Sequence, residues 1–98
     1  MELNSRQRAQ LRSMANTMQP IFQIGKGGIG EEIIEQLSLA LAARELIKLT
    51  VLETAPMRAR EAAEALKAPL RAEVVQCIGR KVTLYRESRE NKRIELCK

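Results

Sequence analysis

The sequence predicts an α/β fold, a two-layer sandwich with a four-stranded mixed sheet in the element order α-β-α-β-α-β-β. Three observations support this fold. Apolar residues at helical spacing alternate along the chain with short runs of branched residues. A glycine-rich segment joins the first branched run to a helical one, and a two-residue turn joins the last two runs. Ninety-eight residues make one domain, 1–98.

The first helix is predicted over residues 5–15. Asn4 followed three residues later by Gln7 is the pattern of a capping box, which starts a helix. Pro20 disfavours helix at the residue before it and is tolerated at the start of a strand, so a short apolar strand follows over 20–24.

The second helix, over residues 31–43, has the clearest periodicity in the chain. Its apolar positions Ile33, Ile34, Leu37 and Leu41 follow helical spacing, and two glutamates occupy its first turn. The next segment, 45–52, is rich in branched residues that alternate with polar ones, which predicts a strand.

The third helix is expected over 57–68, opened by Pro56 and stopped by Pro69. Strands over 72–78 and 81–85 follow, joined by Gly79-Arg80 in a type II′ turn. Right-handed crossovers would align the first three strands, and the hairpin makes the fourth antiparallel. The remaining residues, 86–98, are expected to form a charged, frayed tail in which Ile94 and Leu96 could dock on an edge of the sheet.

The charge of the chain points to a polyanionic partner. The net charge is +5 and the pI is near 9.7. Arginine supplies 11 of the 17 basic residues, and its planar guanidinium suits phosphate oxygens. Nucleic acid is therefore favoured as partner over an anionic membrane surface.

The residue types that are missing exclude several kinds of site. The chain has no His and no Asp, which removes imidazole bases, His ligands and every catalytic triad that needs them. Cys77 and Cys97 lack zinc spacing and are expected to be free thiols in a reducing cytoplasm. No signal peptide or membrane span is visible. We therefore expect a cytoplasmic monomer with no catalytic residues, metal, cofactor, small-molecule substrate or membrane partner.

The segment "IGKGGIGEEI", residues 24–33, fits two glycine motifs. Gly25, Gly27 and Gly30 match the dinucleotide pattern G-x-G-x-x-G, and Glu53 ends the next strand near where a ribose-binding acid would fall. Fewer than 50 residues follow Glu53, however, and a basic helix precedes the motif, so a complete dinucleotide site is disfavoured. A P-loop is excluded because Glu31 follows the closing glycine.

The other motif is G-x-x-G, Gly25 to Gly28, which can clamp a phosphate. Glycines let the backbone approach a ligand, and this loop leads into a helix N-terminus that favours an anion. Lys26 lies inside the loop, where it can reach a second phosphate. Arginines 6, 8 and 12 of the first helix would extend the positive surface. One Phe and one Tyr cannot make a stacking platform, so binding should depend on phosphates and sugars.

Four blocks of the chain, "LNSRQRAQLRSMA", "QPIFQIGKGGI", "RELIKLTVL" and "QCIGRKVTLYR", resemble the successive blocks of the CRM domain (chloroplast RNA splicing and ribosome maturation) in its single-domain bacterial form, the YhbY-like proteins. The resemblance covers about residues 2–96. It implies a fold similar to the C-terminal domain of translation initiation factor three. It also implies association with precursors of the large ribosomal subunit, through their rRNA.

The resemblance maps the family's loop onto Gly25 to Gly28 and its later basic positions onto Lys48 and Arg86. Gly30 stands where the family often has a Thr or Ser helix cap, and Arg44 replaces a frequent His. The predicted RNA-binding residues are Gly25, Lys26, Gly27, Gly28, Arg6, Arg8, Arg12, Arg44, Lys48 and Arg86. Lys48 and Arg86 could instead hold salt bridges, and Tyr85 is favoured as part of the core.

Two other functions stay open at this point. The chain could be an adaptor that docks on ribosomal proteins through an exposed sheet face, without clamping RNA. The disfavoured alternative is a dinucleotide-binding enzyme.

Overall fold

A computed structural model describes residues 2–98. Its elements are α1 (Ser5–Ala15), β1 (Phe22–Ile24), α2 (Glu31–Arg44), β2 (Leu46–Val51), α3 (Ala59–Leu70), β3 (Glu73–Ile78) and β4 (Lys81–Tyr85). The predicted α/β fold, its element order and its four-stranded mixed sheet are confirmed. Within residues 2–98, no helix is both long enough and apolar enough to span a bilayer.

The strands lie in the order β1-β2-β4-β3. β1 pairs parallel with β2, and β4 pairs antiparallel with both β2 and β3. The first three strands therefore run the same way and the fourth runs against them, as the crossover rule predicts. The carboxyl ends of β1, β2 and β3 share one edge of the sheet, which we call the carboxyl edge.

One face of the sheet carries the main core. Ile47, Leu49 and Val51 alternate along β2 on this face, and they are buried in one cluster with residues of α2 and α3. Leu37 and Leu66 represent the two helices in this cluster, and neither is exposed. The carboxyl edge therefore also holds the N-termini of α2 and α3, because each helix runs back along the strand that precedes it.

The sheet and the α2–α3 layer are the two predicted layers, and the other face of the sheet is covered in part by α1 and by residues 86–98, which add a partial third layer. Leu11 of α1, Leu46 of β2, Tyr85 of β4 and Ile94 form a second buried cluster. Tyr85 thus lies in the core, with 1% of its surface exposed. Residues 86–98 form no helix or strand, but Ile94 packs in this cluster with 5% of its surface exposed and Leu96 packs against it, so the two side chains that were expected to dock on an edge of the sheet contact this face instead.

Glu45 anchors this C-terminal segment. Its side chain is fully buried, and its carboxylate accepts main-chain hydrogen bonds from Ser88 (2.7 Å), Arg93 (2.6 Å) and Ile94 (2.8 Å). Burial would raise the pKa of Glu45, but the three N–H donors and nearby Lys92 outweigh burial, so the pKa is lowered. The carboxylate is therefore charged and fully engaged.

Several predicted boundaries are corrected. β1 begins at Phe22 and not at residue 20, and α3 begins at Ala59, two residues later than the start predicted after Pro56. Glu45 was expected to begin β2, but it ends α2 with φ 66°. Pro69 was expected to stop α3, but the helix includes it and ends at Leu70. The end of α3 is closed by the residues that follow this proline. Arg71 adopts φ 53°, its N–H donates to Ala68, and the next N–H donates to Lys67, the pattern of a Schellman motif.

Candidate nucleic-acid interface

The predicted clamp is a tight turn at the carboxyl edge. The N–H of Gly28 donates to the carbonyl of Gly25 at 2.9 Å, which closes the turn. Lys26 and Gly27 form its tip, and both are exposed. The turn therefore presents one ammonium group and an uncovered stretch of backbone to the solvent.

The glycines of this turn differ in what they do. Gly28 has φ 69°, and a Cβ there would lie 3.1 Å from Cγ of Pro56, so this position needs glycine for the fold itself. A Cβ at Gly25 would lie 3.4 Å from Cδ1 of Leu52. At Gly27, a Cβ would have no atom of residues 2–98 within 4 Å. Gly27 is thus the position where a ligand can approach the main chain.

The N-terminus of α2 follows directly after this turn. Gly30 is its N-cap, in extended backbone, and gives it no side-chain hydrogen bond. The first-turn N–H groups favour an anion, but Glu31 and Glu32 stand in the same turn and oppose one. The side of the turn that carries Lys26 is therefore the more favourable position for a phosphate.

Basic charge is concentrated near the start of the chain. Residues 3–30 contain Arg6, Arg8, Arg12 and Lys26 and no acidic residue. Arg6 and Arg12 are exposed on α1. Arg8 is half-buried, and its guanidinium donates to the carbonyl of Val74 at 2.6 Å and lies 3.7 Å from the carboxylate of Glu73. Arg8 therefore ties α1 to β3 as well as adding charge.

Lys48 has partners within the protein. Its Nζ donates to the carbonyls of Ala15 (2.9 Å) and Met18 (3.3 Å), at the C-terminal end of α1, where a cation complements the helix dipole. The alternative role of Lys48 as a structural residue fits this geometry, although its partners are carbonyls and not a carboxylate.

Arg86 likewise joins elements of the fold. Its guanidinium donates to Oγ of Ser38 (3.1 Å), the carbonyl of Ser38 (2.7 Å) and the carbonyl of Leu70 (3.0 Å). These bonds connect α2 to the end of α3. The guanidinium of Arg86 is therefore already hydrogen-bonded within the protein, and it does not present a pair of free N–H donors to a phosphate.

The structure does not bring Arg8, Arg86 or Arg44 to the loop. Arg8 contacts the first residues of β3 and Arg86 follows the last residue of β4, so both lie at the end of the sheet opposite the carboxyl edge. Arg44 is exposed at the C-terminal end of α2, whose 14 residues span about 20 Å from the glycine turn. A single phosphate cannot contact both ends of this helix, whereas an extended RNA can.

Sequence reasoning missed three arginines at the carboxyl edge. Arg58 and Arg60 lie at the N-terminus of α3, Arg80 lies in the β3–β4 turn, and all three are exposed. Arg58 and Arg80 line one cleft together with Pro56, the residue against which Gly28 packs. The sequence contained a signal for these arginines, because they follow the second and third strands, and the carboxyl ends of aligned strands meet at one edge.

The position of Arg80 also argues against the dinucleotide-binding alternative. Its guanidinium lies 2.9 Å from the carboxylate of Glu53, the acid proposed to bind a ribose. In addition, the positive φ expected at a tight glycine turn falls on Gly28, which is not one of the three glycines of the dinucleotide pattern.

Comparisons with known proteins agree with this fold. The family model that describes the CRS1/YhbY (CRM) domain matches residues 3–86 of the sequence. "Probable RNA-binding protein YqeI" of Bacillus subtilis is 48% identical over 94 residues, which are 96% of this chain and 98% of that protein. A protein of Haemophilus influenzae named "RNA-binding protein" is 30% identical over 90 residues, 92% of this chain and 91% of that one.

A solved structure is similar over nearly the same length. The solution structure of the hypothetical protein SAV1595 from Staphylococcus aureus superposes with a TM-score of 0.81 and 49% identity, covering 98% of this chain and 100% of that one. The match over residues 3–86 and the 48% identity to a relative covered almost in full show that the chain belongs to the CRS1/YhbY (CRM) domain family.

Proposed function

We propose that this chain binds RNA through the glycine turn, that the RNA is rRNA in precursors of the large ribosomal subunit, and that binding assists subunit assembly without enzymatic activity. The observation that carries the proposal is the exposed Lys26-Gly27 tip, where main chain and ammonium group are both open to a phosphate. The names of the relatives support RNA as the ligand, and the resemblance to YhbY-like proteins supports the large subunit.

The physical basis is contact with the RNA backbone. The described aromatic side chains offer no stacking platform, because Tyr85 is buried and Phe22 packs against the main core. Nothing in the turn reads a base edge, so it should position RNA without selecting a sequence. Affinity should then fall with salt, at about −0.7 in log K per log salt for each single-strand phosphate contact.

A matched pair of double variants tests the clamp. Lys26→Glu with Gly27→Glu changes the charge at the tip by the same amount as Lys67→Glu with Ala65→Glu on exposed positions of α3. The loop variant should weaken binding to a single-stranded RNA at least tenfold, about 1.4 kcal/mol, and the α3 variant should not. Equal effects of the two variants in filter binding would rule out the turn as the clamp.

The identity of the RNA needs an experiment in cells. Crosslinking followed by sequencing of the bound RNA should enrich large-subunit rRNA for the natural chain and lose that enrichment for the loop variant. If the loop variant stayed on ribosomal particles with the same rRNA profile, the adaptor function would replace direct clamping.

A further inference from the structure

The sheet face that carries α1 has an uncovered half. The strand registers place Gln23 beside Thr50, Thr50 beside Lys81, and Lys81 beside Ile78, so one row of side chains crosses all four strands. We call these four residues the polar row. Neighbouring strands are about 4.8 Å apart, so the row is about 14 Å wide.

α1 covers the other half of this face. The next row toward α1 begins with Lys48, whose Nζ is bound to the end of α1, and continues with Thr83, which is 1% exposed. The polar row itself is open. Gln23, Lys81 and Ile78 are exposed and Thr50 is half-buried.

The chemistry of the polar row fits a sugar–phosphate backbone. It offers an amide, a hydroxyl and an ammonium group, and it contains no carboxylate. Neither does the row of Lys48, Thr83 and Gln76 behind it. A protein-docking surface is typically centred on apolar or aromatic anchors, whereas Ile78, at the outer end, is the only apolar side chain of the polar row.

The polar row is also continuous with the glycine turn. Gln23 lies in β1, two residues before Gly25, and Lys81 begins the strand that follows Arg80. An RNA strand whose phosphate is held at Lys26 can therefore continue across the face without leaving the carboxyl edge.

We propose that the polar row is a second RNA-binding surface, which carries the sugar–phosphate backbone of the same RNA that the glycine turn clamps. This inference rests on the proposed RNA-binding function. It extends the RNA-binding surface beyond the glycine turn and assigns Gln23, Thr50 and Lys81 to this extension.

Two substitutions that change the charge of the polar row in opposite directions test this surface. Lys81→Glu should weaken binding of a single-stranded RNA about fivefold and make the salt dependence shallower by about 0.7. Ile78→Lys should strengthen binding about threefold, because it adds a cation to the same row. An apolar docking surface would predict that Ile78→Lys only damages binding.

Each substitution has a matched control on the opposite face. Lys67→Glu has the same charge change as Lys81→Glu, and Leu39→Lys starts from a side chain that is 65% exposed, as Ile78 is. Both controls should stay within twofold of the natural chain. Thermal unfolding of all four variants confirms that binding is compared between folded proteins.

The outcomes separate the two proposals. If the loop variant loses affinity while Lys81→Glu and Ile78→Lys do nothing, the polar row is refuted and the clamp stands. If each row variant behaves like its control on the opposite face, net charge explains the effects and the row is again refuted. If the natural chain binds no RNA, the proposed function itself fails.

Discussion

The carboxylate of Glu45 accepts the main-chain N–H of Ile94 at 2.8 Å, across 49 residues of sequence. The same oxygen accepts from Arg93, and the second oxygen accepts from Ser88. One buried acid at the end of α2 thus fixes the course of the C-terminal segment over the sheet. The segment has no helix or strand of its own, and it is ordered by this acceptor group together with its contacts to α1 and the burial of Ile94.

Glu45→Gln should lower the free energy of unfolding by about 2 kcal/mol, because an amide group then faces a main-chain donor in place of one carboxylate oxygen. Urea denaturation measures the change, and Glu35→Gln on an exposed position of α2 is the control. The lowered pKa of Glu45 sets the pH dependence: its contribution is complete above about pH 4.5 and is lost as the pH falls through the folded value. The natural chain and the variant should therefore converge in acid. Parallel stability curves down to pH 2 would contradict the role of Glu45.

Tyr85→Phe should be neutral at pH 7 or stabilise the chain by up to about 1 kcal/mol, because the buried hydroxyl has no partner among residues 2–98. Burial, with smaller effects of Glu45 and Glu87, raises the pKa of Tyr85 to about 12. The natural chain should therefore lose stability between pH 10 and 12, as the unfolded tyrosine ionises first. The Phe variant should lose less.

Thr83→Val is the matched comparison for this experiment, since it also removes a buried hydroxyl that is unpaired within the described residues. Its gain should not depend on pH, because threonine does not titrate. A drop in stability for both variants at pH 7 would show that these hydroxyls are hydrogen-bonded in solution.

Arg86→Lys should destabilise the fold by about 1 to 2 kcal/mol, because an ammonium group cannot reproduce the three bonds to Ser38 and Leu70. RNA affinity, measured on the folded variant, should stay within twofold. Arg89→Lys, on an exposed neighbour, is the control for both measurements. A large loss of affinity without loss of stability would restore Arg86 to the RNA-binding residues.

Gly28→Ala should cost about 1 to 2 kcal/mol of stability, because alanine disfavours φ 69° and its Cβ would press on Pro56. Gly27→Ala should change stability by less than about 0.5 kcal/mol, since its Cβ meets open space. Filter binding should nevertheless show weaker RNA binding for Gly27→Ala. An unchanged RNA affinity of the Gly27→Ala variant would mean that the RNA does not approach the main chain at the tip of the glycine turn.

Local signals predicted most of the fold. The capping box of Asn4 and Gln7 formed as expected, and α1 has the predicted bounds. The turn between Ile78 and Lys81 has positive φ at Gly79 and not at Arg80, as a type II′ turn requires. These features depend on residues a few positions apart, which is why the sequence alone is sufficient for them.

Distant partners account for what was missed. The residues near Glu45 in the sequence do not indicate that its carboxylate accepts hydrogen bonds from main-chain N–H groups more than 40 positions later. The interior partners of Lys48 and Arg86 are likewise remote, at separations of 16 to 48 residues. The glycine turn could be located from its motif, whereas the arginines at positions 58, 60 and 80 come to the same edge only through the alignment of strands that are distant in sequence.

The contacts between α1 and residues 95–97 bear on how the protein opens. Gln7 donates to the carbonyl of Cys97, and Gln10 accepts from the N–H of the same residue. The two segments also share the second buried cluster, which is separate from the main core. They should therefore detach as one cooperative unit, with amide hydrogen exchange faster in both than in β2 and β4. Such an opening would uncover the rest of the sheet face beside the polar row while the main core stays folded.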